Sequence, residues 1–243
     1  MWPSVRAAWR QWNEPNEGWE PFLYTDAKGL VTCGMGNLVN TVADAQRADW
    51  RNPDGSKTSP QDVAAAWQVV HDAFPAVTST NCARLTSIRL TDAGIQALVD
   101  AALTSAEAEL VKSLPDFAKL CADEQTANLS KAWAMGGDFI PADGFTRYAA
   151  EVEAGSYAGS ETDGNYRGVG TQGRQAQEHI AEGNAQVVKD NGLDPSRLYW
   201  PADLTQAPPG PMPGGGFFGG VGVVLLLIGL GLGGVYAAAK GWL

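Results

Sequence analysis

EGWEPFLYTDAKGLVTCGMGN, from Glu17 to Asn37, is the stretch on which the reading of this chain turns. Phe22-Leu23-Tyr24-Thr25 is aromatic and partly β-branched and reads as a short strand. Ala27-Lys28-Gly29 reverses the chain, with Gly29 free to take a positive φ. Leu30-Val31-Thr32-Cys33 then reads as the returning strand. Glu17 precedes this hairpin, near the end of an expected helix. Asp26 stands beside the turn, and Thr32 lies across from the first strand. Two carboxylates on either side of a cleft are the chemistry of glycoside hydrolysis, with one group giving a proton and the other facing the positive anomeric centre. Gly34 and Gly36 would let a sugar chain or another backbone approach closely. Each residue also has an ordinary reading: Asp26 as a turn-former, Thr32 as a strand residue, Glu17 as one of several solvated carboxylates beside Glu14 and Glu20.

The spacing E-x8-D-x5-T followed by G-x-G resembles the phage-type lysozymes, the muramidases of the T-even lysozyme and lambdoid endolysin group. Supporting likenesses follow in order: a helix start at Leu90-Thr91-Asp92, Ala132-Trp133-Ala134-Met135-Gly136, Gly144-Phe145-Thr146, and the late Arg174-Gln175-Ala176-Gln177-Glu178. The resemblance implies Glu17 as general acid, Asp26 as the group stabilising the anomeric centre or placing the water, and Thr32 as its helper. Gly34, Gly36, Asn37 and Tyr166 are the expected substrate-binding residues. Two departures stand out. Asn37 occupies a place where the family usually has His, and Pro15 interrupts what is usually a continuous helix. Pro15 leads us to expect that the helix ends near Asn13, with Glu17 on a separate turn.

The chain has 243 residues, 44% hydrophobic and 18% charged, enough for one sizeable core with an appendage. Ser59-Pro60 and Thr91-Asp92 read as helix starts. Ile95, Leu98, Val99 and Ala102, then Leu110, Val111 and Leu114, recur at helical spacing. Two stretches, 49–56 and 155–168, read as surface insertions rich in turn residues. Cys33, Cys82 and Cys121 are an odd number without metal-like spacing and read as buried small residues. His71 and His179 join no catalytic constellation. No cofactor or metal is expected, and no basic patch or phosphate loop points to nucleic acid. The net charge of −10 does not draw the chain to an anionic wall polymer by long-range attraction.

A Pro/Gly-rich run, Gln206 to Gly216, reads as a linker. Phe217 to Ala239 then carries no charge, and at helical rise covers roughly 30–35 Å, a bilayer's width. Lys240 and Trp242 fit interfacial anchors, and Gly229 and Gly233 offer a face for a helix partner.

The expected organisation is a lysozyme-like domain over 1–200, a linker over 201–216, a transmembrane helix over 217–239 and a tail over 240–243. The fold class expected is α+β and mainly helical, a lysozyme-like fold with a small N-terminal β-hairpin lobe and one C-terminal transmembrane helix. Function follows as a membrane-anchored peptidoglycan hydrolase with peptidoglycan and a lipid bilayer as partners, carried on a virion membrane for wall entry. The alternatives are a membrane-tethered endolysin facing the periplasm and a catalytically silent wall-binding protein.

Overall fold

The computed structural model describes residues 1–142, 145–155 and 172–206. They belong to one compact unit, Met1–Ala207. Its elements in chain order are α1 (Pro3–Glu17), β1 (Glu20–Thr25), β2 (Val31–Gly34), β3 (Asn37–Leu38), α2 (Val42–Gln46), β4 (Trp50–Arg51), α3 (Pro60–Asp72), β5 (Arg89–Leu90), α4 (Asp92–Ser113), α5 (Ala122–Met135), α6 (Phe139–Ala142), α7 (Thr146–Ala154) and α8 (Gln172–Asn191). Short 3-10 turns at Ser79–Arg84 and Phe117–Lys119 precede β5 and α5.

The hairpin forms where its chemistry places it. β1 and β2 pair antiparallel with Tyr24 opposite Thr32, and β2 pairs with β3 so that Thr32 also faces Leu38. Asp26 closes the turn as an Asx residue: its Oδ1 accepts the backbone N–H groups of Lys28 and Leu30, both at 2.8 Å. The sheet packs against α3 and the Ser79–Arg84 turn, and α4 touches both this sheet and α5. The two expected helix starts are capped by the side chains that signal them: Ser59 accepts from the Asp62 N–H with Pro60 at the first position, and Thr91 accepts from the Gly94 N–H. Ile95, Val99, Leu103, Leu110 and Leu114 face the core, whereas Val111 points to solvent.

Several expectations are corrected. The fold is a mixed assembly of helices and two small sheets, not a lysozyme-like α+β fold completed by a transmembrane helix. No helix among the described residues is long and apolar enough to cross a membrane. The physical reason is charge: α4, the longest at 22 residues, carries Asp92, Asp100, Glu107, Glu109 and Lys112. The 217–239 stretch lies outside the described residues, as does Tyr166. α1 does not end near Asn13 but runs through Pro15 to Glu17, ended by Gly18 at φ 79°. The 49–56 stretch is not wholly a surface insertion. Trp50 is buried in a second sheet with β5, its indole N–H bonding the Ala45 carbonyl at 2.8 Å.

α5 is the centre of the helical half, packed on α1, α4 and α8, and every residue from Ala122 to Ala132 is buried. Many of them are polar, so the helix buries a hydrogen-bonded and ionic cluster. Lys131 Nζ lies 2.6 Å from Glu182 Oε1 and 3.8 Å from Glu178 Oε2 on α8. The Tyr148 hydroxyl of α7 donates to Asn128 Oδ1 at 3.0 Å, and Asn128 Nδ2 donates to Glu124 Oε1 at 2.8 Å. Glu124 Oε2 is buried with no hydrogen-bond partner among the described residues, which fits a neutral acid. Burial first, then the Glu182 charge, pushes the Glu124 carboxyl up to about 8, against the opposing pull of Lys131. Its folded value is raised from 4.5, so its stabilising contribution is present below the unfolded value and lost as pH rises through about 8. Glu124→Gln should therefore show a shallower fall in Tm than the parent between about pH 5 and 8. Circular dichroism melts across that range test it, and parallel slopes in the two proteins would contradict it.

Candidate functional site

Glu17 ends α1 with its side chain partly exposed, and its carboxylate is gripped from the far end of the chain. Arg174 of α8 donates Nη2 to Glu17 Oε1 at 2.5 Å. The guanidinium is almost wholly buried and is itself anchored by Nη1, which donates to the Ser130 carbonyl at 3.2 Å and to Ser130 Oγ at 3.1 Å on α5. A buried guanidinium needs such partners to offset its desolvation. The ion pair therefore sets both the rotamer of Glu17 and the approach of α8 to α1.

The other carboxylate oxygen lies against the β2–β3 turn. Gly36 sits there at φ +68°, and a Cβ built on it would stand 2.6 Å from Glu17 Oε2. This turn is braced by Asn37, whose Oδ1 accepts the Met35 N–H at 3.1 Å, and a Cβ on Gly34 would stand 2.9 Å from that same oxygen. The glycine pair thus serves two close approaches, one of them to the candidate acid. Asn37 turns its Oδ1 to the turn rather than to Glu17.

Tyr24 joins the group from β1. Its phenol senses the Glu17 charge and the Gly36 backbone. Burial first, then the carboxylates of Glu17 and Glu20, pushes this phenol well above its ordinary value, so it stays a neutral hydroxyl. Thr32, opposite Tyr24, is buried and donates its Oγ1 to the Leu30 carbonyl at 3.2 Å. Asp26 and Thr32 thus meet through the Leu30 backbone rather than directly, since the Leu30 N–H goes to Asp26. Asp26 Oδ2 carries no hydrogen bond among the described residues.

An open cavity of about 690 Å³ begins at Gly36 and Asn37 and runs along α4, past Leu98 and Ala102, to Trp133 on α5. Glu17, Asp26 and Thr32 are not part of its lining. Gly36 is the shared wall: the cavity lies against it, and the Glu17 carboxylate abuts it. Among the described residues the charged ones at the cavity are Asp44, Arg47, Asp49 and Glu109, with Arg47 bound to Asp44 at 2.8 Å.

No family model and no curated protein matches this chain. The case for a site therefore stands on geometry and on the motif spacing. The structure brings together Glu17 and Gly36, and separately Gly34 with Asn37. It places Thr32 and Asp26 on the adjoining hairpin with one bond each into the Leu30 backbone, and it leaves Tyr166 outside the described residues. Arg174, Ser130 and Tyr24 belong to the site and are absent from the set read as catalytic or binding residues. Arg174 was visible only as part of a late helical likeness. Nothing local ties it to a glutamate so far back in the chain.

Among the described residues no group of three His, Cys, Asp or Glu is placed to hold a metal ion. Gly36→Ala tests the close approach. Gly55, at φ +83° with nothing within 4 Å of a built Cβ, supplies the control for backbone strain alone. Each alanine should cost about 1–2 kcal/mol from the left-handed backbone, and Gly36→Ala about 1 kcal/mol more from displacing Glu17. Equal costs in urea titrations would show that the carboxylate does not press on Gly36.

Proposed function

We propose that this chain is a peptidoglycan hydrolase of the muramidase type, cleaving the β-1,4 bond between N-acetylmuramic acid and N-acetylglucosamine. The observation that carries the proposal is the placement of Glu17. One partly exposed carboxylate, oriented by a buried arginine, abuts the glycine wall of a cavity large enough for a few sugar rings. The E-x8-D-x5-T spacing and its resemblance to phage-type lysozymes supply the reaction class.

In this reading a glycan strand runs from the cavity over its Gly36 edge to Glu17, with Trp133, Leu98 and Leu38 offering apolar faces to the sugar rings inside it. Glu17 Oε1 is held by Arg174, so a proton taken up by Glu17 sits on Oε2, and from there the acid gives it to the glycosidic oxygen as the carboxylate re-forms. The bond between that oxygen and the anomeric carbon breaks, and positive charge grows on the sugar ring. Asp26 Oδ1 is tied to the turn, which leaves Oδ2 to face that charge or to orient the water that replaces the leaving sugar. Thr32 keeps the strand beside Asp26 in place through Leu30. On the resemblance alone we infer a phage setting, in wall entry or in host lysis; the intact chain in purified particles would support entry, and its restriction to infected cells would support lysis.

One observation favours a second reading, that of a silent wall-binding protein. Arg174 holds Glu17, the turn holds Asp26, and Leu30 holds Thr32, so each has structural work to do. The two readings separate on one assay. Purified protein should clear a suspension of peptidoglycan, and Glu17→Gln should lower the rate by at least about a hundredfold, the scale of lost general-acid catalysis, while remaining folded. Clearing retained by Glu17→Gln would remove Glu17 from the acid role, and no clearing by the folded parent would favour the binding protein.

A further inference from the structure

Pro15 lies inside α1, two residues before Glu17. Proline has no N–H, so the Gln11 carbonyl receives no bond from it, and the final turn of the helix loses one of its ties. Pro15 is exposed, whereas Trp12 and Asn13 are buried, so the loss falls on the outer side of the helix. The inner side is held by α8. Gln177 Nε2 donates to the Trp12 carbonyl at 3.3 Å, and Gln177 Oε1 accepts from Asn16 Nδ2 at 2.8 Å. Asn16 Nδ2 also reaches the Trp12 carbonyl at 3.4 Å. Gln177 stands three residues after Arg174, so the two project from one face of α8. One grips the last turn of α1 by its backbone and Asn16; the other grips Glu17 itself. Trp12 is in turn fixed by the edge of Trp200, with ring centroids 4.7 Å apart.

We propose that Gln177 is a positioning residue for Glu17, its side-chain amide carrying the turn of α1 that Pro15 weakens. The catalytic half of this claim rests on the muramidase reading above; the structural half does not. Arg174 alone cannot do this work. A single ion pair fixes a distance between two side chains, but the Glu17 carboxylate must also stay beside Gly36, and that requires the backbone of residues 12–17 to hold its place. A neutral amide that both donates and accepts supplies that hold without adding a charge beside the acid.

The test uses the full chain in four forms: parent, Gln177→Met, Pro15→Ala, and both together. Methionine keeps the volume and removes both hydrogen bonds. Hydrogen exchange of the amides at Asn16 to Gly18 should quicken about fivefold to tenfold in Gln177→Met, with α4 unchanged, the scale of one or two lost hydrogen bonds. Adding Pro15→Ala should restore most of the protection, because the helix regains its own bond. On peptidoglycan, kcat should fall by a similar factor with KM unchanged, and the double variant should recover it. Unchanged exchange at the last turn, or equal effects of Gln177→Met with and without Pro15, would overturn the proposal. So would quickened exchange with kcat intact. If the parent cleaves no wall polymer, the muramidase reading falls, and the exchange pattern alone then decides whether Gln177 holds this turn.

Discussion

The Arg174–Glu17 ion pair is the contact on which the arrangement of this chain depends. A guanidinium that is almost wholly buried cannot be left without a partner, and among its partners are Glu17 on α1 and the carbonyl and hydroxyl of Ser130 on α5. Breaking a buried pair of this kind costs about 3–5 kcal/mol, and the partial exposure of Glu17 puts this one at the low end. The pair joins three helices at one point. It also presents the remaining carboxylate oxygen to Gly36, where the small sheet and the helices meet. A glycine there is a requirement of that contact as much as of the turn.

Behind the pair the helical half is built in an uncommon way. α5 is buried on all sides, yet Asp123, Glu124, Gln125, Asn128 and Lys131 lie along it. Each finds its place through specific bonds. Asp123 accepts from Asn184 Nδ2 and from the backbone N–H groups of Tyr199 and Trp200, which fastens the segment after α8 over the core. Burial pulls against the charge on Lys131, and the Glu182 carboxylate, with Glu178 beside it, outweighs that cost, so Lys131 keeps its proton. Such a seam is directional where an apolar one is not. It specifies how α8 lies on α5, and therefore where Arg174 stands. The same burial makes the seam sensitive to ionisation of Glu124.

The local features were legible in the residues. The β1–β2 hairpin follows from its aromatic strand and its Asp-Ala-Lys-Gly turn, and Ser59 and Thr91 cap the helices they announce. Asp26 was legible as a turn-former, and the bonds its Oδ1 accepts from Lys28 and Leu30 show that reading to be right. What was not legible depends on distant partners. Pro15 predicts a break because local rules know nothing of Gln177 and Arg174, which hold the turn beyond it. The β4–β5 pair escapes because two-residue strands carry no alternation to read, and Trp50 sits among turn residues. The polar α5 cannot be recognised as a core helix from periodicity, since its buried positions are not apolar. Arg174 and Ser130 reach the site only through the packing of α8 on α5.

The central claim is that the cavity beside Glu17 serves the cleavage of glycan bonds. The most direct measurement is mass analysis of what the purified protein releases from purified peptidoglycan. The account predicts disaccharide–peptide fragments, with the glycan strand cut between its two sugars and the peptides still attached. Release of free peptides from intact glycan strands, or no release by a folded protein, would contradict it.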